Sequence, residues 1–364
     1  MDKDRLALIS LNIEGITNAK DLFSIEQYVG NFHEFWELSA GCLVDLFPKA
    51  EEKRKRILAI LNKPEKYVET IYSMIGSCQI ITILDEDYPM MLKNIYDPPY
   101  VLYVNGKLKP EIPLIAMVGA RKASAYGKWA ASEFSKQLVQ FGAGVISGLA
   151  YGIDTSSHQG ALDAAGYTVS VLGCGVDHIY PASNRKIYEQ IALTGAIVSE
   201  YPPGTLPQKH YFPARNRIIS GLSHGVFVLE AGLKSGSLIT AEFAMEQGKE
   251  VYALPGHINH GLSHGTNRLI QDGAKMVLKP EDIIDEMFSK QLIQQNKRNS
   301  SQYKANLSPK ELSLMSLIQE KATSIDELVL STGLPVSEVN SLVSVLEIKG
   351  LIQTLPGKLF TSCR

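Results

Sequence analysis

The chain has 364 residues, 45% hydrophobic and 20% charged, with glycine and proline spread throughout, which is globular usage with room for two or three domains. A formal charge of −2 excludes a protein coated in positive charge, so any site for a polyanion must be local. No stretch approaches the roughly 18 to 20 apolar residues of a membrane helix, MDKDRLALISLNIEGI is a poor secretory signal, and Cys42, Cys78, Cys174 and Cys363 are too scattered for a metal or disulfide framework; a reducing cytoplasm is expected, with no membrane, metal or cofactor.

Residues 1–75 read as a helical module, with apolar positions such as Leu6, Ile9, Phe32, Phe35, Ile57 and Ile60 at helical spacing. Within it, Asn12-Ile13-Glu14-Gly15-Ile16-Thr17 fits either the turn of a helix-hairpin-helix, whose amides can hold a DNA phosphate, or a plain turn between packed helices. From Gln79 the texture becomes β-branched and proline-punctuated, through Ile80–Leu84 and Tyr100–Val104. A regular alternation follows: strand Leu114–Val118, helix Ser124–Phe141, strand Gly144–Ser147, helix Thr155–Ala165, strand Thr168–Leu172, helix Asn184–Leu193 and strand Ala196–Ser199. After a turn or helix around Ile218 come strand Val226–Leu229, helix Leu238–Gln247, strand Glu250–Leu254, helix Thr266–Gln271 and strand Lys275–Leu278. Such strand-helix-strand units require a mostly parallel sheet covered on both faces, with ligands expected in the loops beyond the strands' carboxyl ends.

Residues 289–306 are polar, aperiodic and basic, and read as a linker. Residues 307–364 give three helical patterns (Pro309–Ile318, Ser324–Thr332, Val336–Lys349) and a strand pair, Leu351–Gln353 and Lys358–Phe360, in the outline of a winged helix. The helix in the recognition position, from Pro335 to Leu342, carries Glu338 and no base. A protein-contact role therefore stands beside DNA contact.

Four loops invite an anion. Gly119-Ala120-Arg121-Lys122-Ala123-Ser124 joins a strand end to a helix N-terminus, as a phosphate site does and as a plain turn also can. Ser147-Gly148-Leu149-Ala150-Tyr151-Gly152-Ile153-Asp154 repeats the arrangement, with Asp154 or Thr155 able to cap the helix. Ala231-Gly232-Leu233-Lys234-Ser235-Gly236-Ser237 sets small and hydroxyl residues before a third helix. Between Glu200 and Glu230 there is no acid, and Pro207–Ser220 holds Lys209, Arg215, Arg217, Asn216, Tyr211 and Phe212: cations for phosphates and rings for unpaired bases. The alternative is that Tyr211 and Phe212 are core and the arginines pair with carboxylates elsewhere. A catalytic centre is not expected, since no P-loop, nucleophile elbow or His-Glu-x-x-His is present.

Val118–Arg121, Ile146–Asp154, His158–Leu162, Ser199–Pro202, Phe212–Ser220, Ser235–Ser237 and Pro255-Gly256, in this order and spacing, resemble the DNA-processing protein A (DprA/Smf) family over about residues 80–285. The resemblance implies an α/β protein with an extended Rossmann-like, doubly wound, mostly parallel sheet (76–288). Around it stand an N-terminal helical module similar to SAM or helix-hairpin-helix domains (1–75), the linker 289–306 and a winged-helix-like module (307–364). It implies a non-enzymatic protein of natural transformation that binds and protects incoming single-stranded DNA, helps load the RecA recombinase, and forms a homodimer through the Rossmann-like domain. By the same resemblance, Arg121, Lys209, Phe212, Arg215, Asn216 and Arg217 hold DNA; Gly119, Ser124, Ser147, Gly148, Ser235, Gly236 and Ser237 are expected to form the phosphate loops. The rival is a related nucleotide-hydrolysing phosphoribohydrolase, whose Pro-Gly-Gly-x-Gly-Thr-x-x-Glu run is replaced here by Glu230-Ala231-Gly232-Leu233-Lys234-Ser235-Gly236.

Overall fold

A computed structural model describes residues 2–287, 308–320, 323–348, 352–355 and 359–362. The expected linker, and parts of the expected final hairpin, lie outside the described residues.

Strands rich in branched side chains and buried on both faces suit the interior of a parallel sheet, and β3 (Leu114–Val118), with every residue buried, is the clearest case. It pairs in parallel with β4 (Gly144–Ser147) on one side and β7 (Gly225–Val228) on the other. From β4 the sheet continues outward through β5 (Thr168–Val171) and β6 (Ala196–Ser199), and from β7 through β8 (Glu250–Ala253) to β9 (Lys275–Met276). The antiparallel pair β1 (Gln79–Thr82) and β2 (Val101–Gly106) extends the β6 edge, giving nine strands in the order β1-β2-β6-β5-β4-β3-β7-β8-β9. The chain thus runs outward from β3 in one direction, then returns to β7 and runs outward in the other. The switch falls between the carboxyl ends of β3 and β7, where a doubly wound sheet opens a crevice.

Five helices precede the sheet: α1 (Lys3–Ile13), α2 (Ala19–Val29), α3 (Ala40–Leu46), α4 (Glu51–Asn62) and α5 (Pro64–Ile75). Their apolar residues, Leu8, Ile25, Leu43 and Ile60 among them, join the sheet's in one core, and the whole of Met1–Ile284 is one compact unit. The boundary expected at residue 75 therefore falls inside this unit. Asn12 shows how tightly the parts are tied, for its amide donates to the Glu200 carbonyl (3.1 Å) and accepts from the buried Tyr103 hydroxyl (2.9 Å). The turn after α1 is closed by the chain itself: the Glu14, Gly15 and Ile16 amides bond to Ser10, Asn12 and Leu11 carbonyls, and Asn12 and Ile16 are buried.

The helices flanking the site are α7 (Ala125–Gln140), α8 (Ile153–Asp163), α10 (Tyr211–Leu222) and α11 (Gly236–Glu246), following β3, β4, β6 and β7, with α6 (Met90–Lys93) and α9 (Arg185–Thr194) completing the series before α12 (His264–Gln271). Of the expected turn or helix around Ile218 the structure has the helix, α10, about three turns that begin at Tyr211, with Pro213 in the first turn, where its missing N–H costs nothing.

A second compact unit runs from Asp285 onward. Helices Pro309–Glu320, Ile325–Thr332 and Val336–Ile348 enclose a small core of Leu314, Ile318, Leu328, Val339 and Leu346, closed by strands Thr323–Ser324, Leu359–Ser362 and Ile352–Leu355 in that order. Ser324 and Glu327 form a reciprocal capping box, and Gly333 ends the same helix in the left-handed region. In the last helix, Glu338 pairs with Lys310 at 2.6 Å. Among the described residues no single helix is long and apolar enough to cross a membrane.

Candidate functional site

The switch point holds a cavity of about 790 Å³, lined from the loops after β3, β4, β5, β6, β7 and β8, from one face of α10 and from the start of α11. Its lining contains five cations, Arg121, Lys122, Lys209, Arg215 and Lys234, against one carboxylate, Asp154. A near-neutral chain therefore gathers a local excess of positive charge here.

The three helix N-termini that face this edge are not equivalent. At α7, Ser124 caps Gly127 and donates its hydroxyl to Glu230 (2.5 Å), while its amide donates to the other Glu230 oxygen (2.9 Å). Gly127 is glycine because any side chain would strike that carboxylate. The chain thus supplies its own anion to this helix end, and the expectation that Ser124 belongs to a phosphate loop is corrected accordingly. Gly119 lines the cavity and also packs closely, since a Cβ there would lie 2.5 Å from Ile153.

At α8 the anion is Asp154, whose Oδ2 accepts from the Gly148 amide (3.1 Å) and the Ala150 amide (3.3 Å). Burial raises this carboxyl above its ordinary range, opposed by Arg215 and these amides. Ser147 is fully buried and donates to the Met117 carbonyl (2.6 Å), fastening β4 to β3. Gly148 leaves room for the Arg215 guanidinium, which any side chain at 148 would strike. Ser147 and Gly148 are therefore corrected from ligand contacts to supports of the edge.

Only the N-terminus of α11 is open. Ser235 caps it through the Ser237 amide (3.4 Å), its hydroxyl shares a hydrogen bond with that of Ser237 (2.8 Å), and Gly236 faces free space, with nothing within 4 Å of where a side chain would stand. Ser235, Gly236 and Ser237 all line the cavity.

α10 sorts its residues by helical phase. Phe212, Arg215, Asn216 and Ile219 recur at intervals of three and four and line the cavity together. The Phe212 ring packs on Tyr180 (centroids 5.4 Å apart), with the Arg121 guanidinium 5.6 Å above it. Tyr211, by contrast, is engaged by Tyr201 at 4.1 Å. Arg215 is 4% exposed and donates to the carbonyls of Gly148 (2.8 Å) and Val171, so it cements two strand-end loops beneath the cavity floor. Burial pushes its guanidinium down to about 10, with Asp154 opposing. Asn216 reaches across to the Gly236 carbonyl at 3.3 Å.

Arg217, off this phase, does not line the cavity. It forks onto Glu200 (2.8 and 2.7 Å) and meets Asp97 at 3.1 Å. Burial alone would lower its affinity for a proton, but Glu200 outweighs burial and holds it above the ordinary value. The expected DNA contact for Arg217 is corrected to a buried structural pair.

Arg121 and Lys209 are exposed, as are Lys122 and Lys234, and no carboxylate pairs with these four among the described residues. Lys122, Lys234 and Tyr180 are among the lining residues that the sequence did not single out. The two lysines lie in loops the sequence marks, whereas Tyr180 sits in a long connection after β5 that carries no signal.

The doubly wound sheet and a cationic, ring-bearing crevice at its switch point define a Rossmann-like protein equipped for polyanions, joined to a winged helix. Residues 79–288 match the family model for DNA recombination-mediator protein A, and residues 299–358 that of the DprA winged helix domain. The chain belongs to this family of DNA recombination mediators. It is 36% identical over 313 residues to Protein Smf of Synechocystis sp., covering 77% of this chain and 79% of that one. The X-ray structure of DNA processing protein A from Streptococcus pneumoniae superposes with a TM-score of 0.69 at 36% identity, covering 79% of this chain and 99% of that one. The Helicobacter pylori DNA processing protein A, a structure described for its single-stranded DNA binding mode, gives 0.53 at 32% identity, with 59% and 98% covered.

Proposed function

We propose that this chain binds single-stranded DNA in the switch-point crevice, protects incoming DNA in natural transformation and helps pass it to the RecA recombinase. The observation that carries the DNA reading is the convergence of four exposed cations without carboxylate partners on the Phe212–Tyr180 ring pair. Cations neutralise phosphates and release counterions, while a ring can stack on a base only where the base face is unpaired. The phosphate subsite is the open α11 N-terminus with Lys234; the base subsite is Phe212, held by Tyr180 and Arg121. The handover to RecA is supported by membership of the recombination-mediator family.

The chain acts as a homodimer through the Rossmann-like domain. Supporting this, the β9 edge of the sheet carries exposed Met276, with exposed Leu278 two residues further on. The phosphoribohydrolase reading has no comparable support, because Glu230 and Asp154, the buried acids of these loops, are both engaged by the chain's own donors.

Ultraviolet crosslinking of an oligothymidylate, with the attached residues mapped by mass spectrometry, tests the location. Crosslinks at Phe212 and Tyr180 are expected. Crosslinks confined to residues 308–362 would move the site to the winged helix.

A further inference from the structure

Beside the crevice, the first turns of α7 carry two large rings in solvent. Tyr126 is 54% and Trp129 60% exposed, and the two rings lie 5.9 Å apart at 34°, so they present one continuous apolar shelf. A tryptophan this exposed is unusual in a folded chain, and two adjacent rings form a patch, not a scattered residue. Lys122 and Lys128 stand beside the shelf in the sequence, both exposed, and Lys122 also lines the crevice. The support is rigid. Ser124 and Glu230 fix the helix end, and the β4–α8 loop packs on the β3–α7 loop, where the Ile153 amide donates to the Ala120 carbonyl.

We propose that Tyr126 and Trp129 form a second stacking subsite, which takes bases of the strand after it leaves the crevice. This inference rests on the reading of the crevice as the single-strand site and extends it to strands longer than the crevice holds. Trp129 stands five residues beyond the Ser124 cap, about 7.5 Å along the helix axis. That is roughly two steps of a stacked strand at about 3.4 Å each. The occupant is single-stranded nucleic acid of any sequence, since every base offers a face to a ring and the two lysines meet the phosphates between. A duplex cannot use the shelf in this way.

Trp36 and Trp129 are the two tryptophans of the chain. In a Trp36→Phe variant, Trp129 reports alone. A thymidylate dodecamer is expected to quench its emission, whereas a thymidylate trimer, which fits the crevice, competes for binding without quenching. Trp129→Ala is expected to weaken the dodecamer about tenfold, as loss of a stacked base does, and to leave the trimer unchanged. The proposal is overturned if the dodecamer binds without altering Trp129 emission, if Trp129→Ala binds it as the parent does, or if Trp129 emission changes with protein concentration alone, which would make the shelf a contact between copies. Failure of both oligomers to bind would instead overturn the crevice reading itself, and the shelf with it.

Discussion

Arg121→Ala combined with Lys209→Ala lowers affinity for single-stranded DNA by roughly a hundredfold or more, because each substitution removes a charge-assisted contact worth about 1.5–3 kcal/mol. Both side chains are exposed and free of carboxylate partners among the described residues, so thermal unfolding should stay close to the parent value. The plot of log affinity against log salt should flatten by about 1.4, at about 0.7 for each phosphate no longer neutralised. Arg121 contributes twice, since its guanidinium also lies over Phe212 at 5.6 Å. An anisotropy titration of a labelled oligonucleotide at several salt concentrations reads both quantities. Parent-like affinity with a parent-like slope would remove these residues from the site.

Arg217→Ala should behave in the opposite manner, losing about 3–5 kcal/mol of stability while the folded fraction binds DNA much as the parent does. The substitution strands Glu200, whose side chain is 5% exposed, without the fork that neutralises it. It also frees the Asp97 contact that ties the segment before β2 to α10. Replacing Glu200 and Arg217 together by leucine and methionine should recover much of the loss, since the cost lies in the uncompensated charge. Urea unfolding measures the stability. A folded Arg217→Ala with parent stability but no DNA binding would restore Arg217 to the site and contradict the assignment.

The contrast between two arginines two residues apart shows where sequence reading stops. The alternation of branched apolar runs with helical stretches defines the parallel sheet well, and Gly144–Ser147 and Ala196–Ser199 are strands as the residues suggest. That legibility comes from side chains buried on both faces, which leave a local mark. The phase of α10 is obscured by Pro213 in its first turn; once the helix is known, Phe212, Arg215, Asn216 and Ile219 fall on one face and Arg217 off it. The occupancy of the helix ends divides in the same way. Asp154 lies six residues from Gly148, and its capping potential is visible in the sequence, whereas Glu230 reaches Ser124 across 106 residues. A pairing of that separation is made by the topology and leaves no pattern in the chain. The helical residues 1–75 show a related limit: their periodicity is plain, but their fusion with the sheet depends on single residues such as Asn12, whose partners lie 91 and 188 positions away.

The central claim is that the crevice selects single strands by combining phosphate neutralisation with a ring that only an unpaired base can reach. A competition titration tests it most directly, with a labelled single strand bound to the full chain and displaced either by the same unlabelled strand or by its duplex. The account predicts that the single strand displaces at far lower concentration than the duplex, and that Phe212→Ala narrows this gap. Equal displacement by the two forms, unchanged in Phe212→Ala, would contradict it.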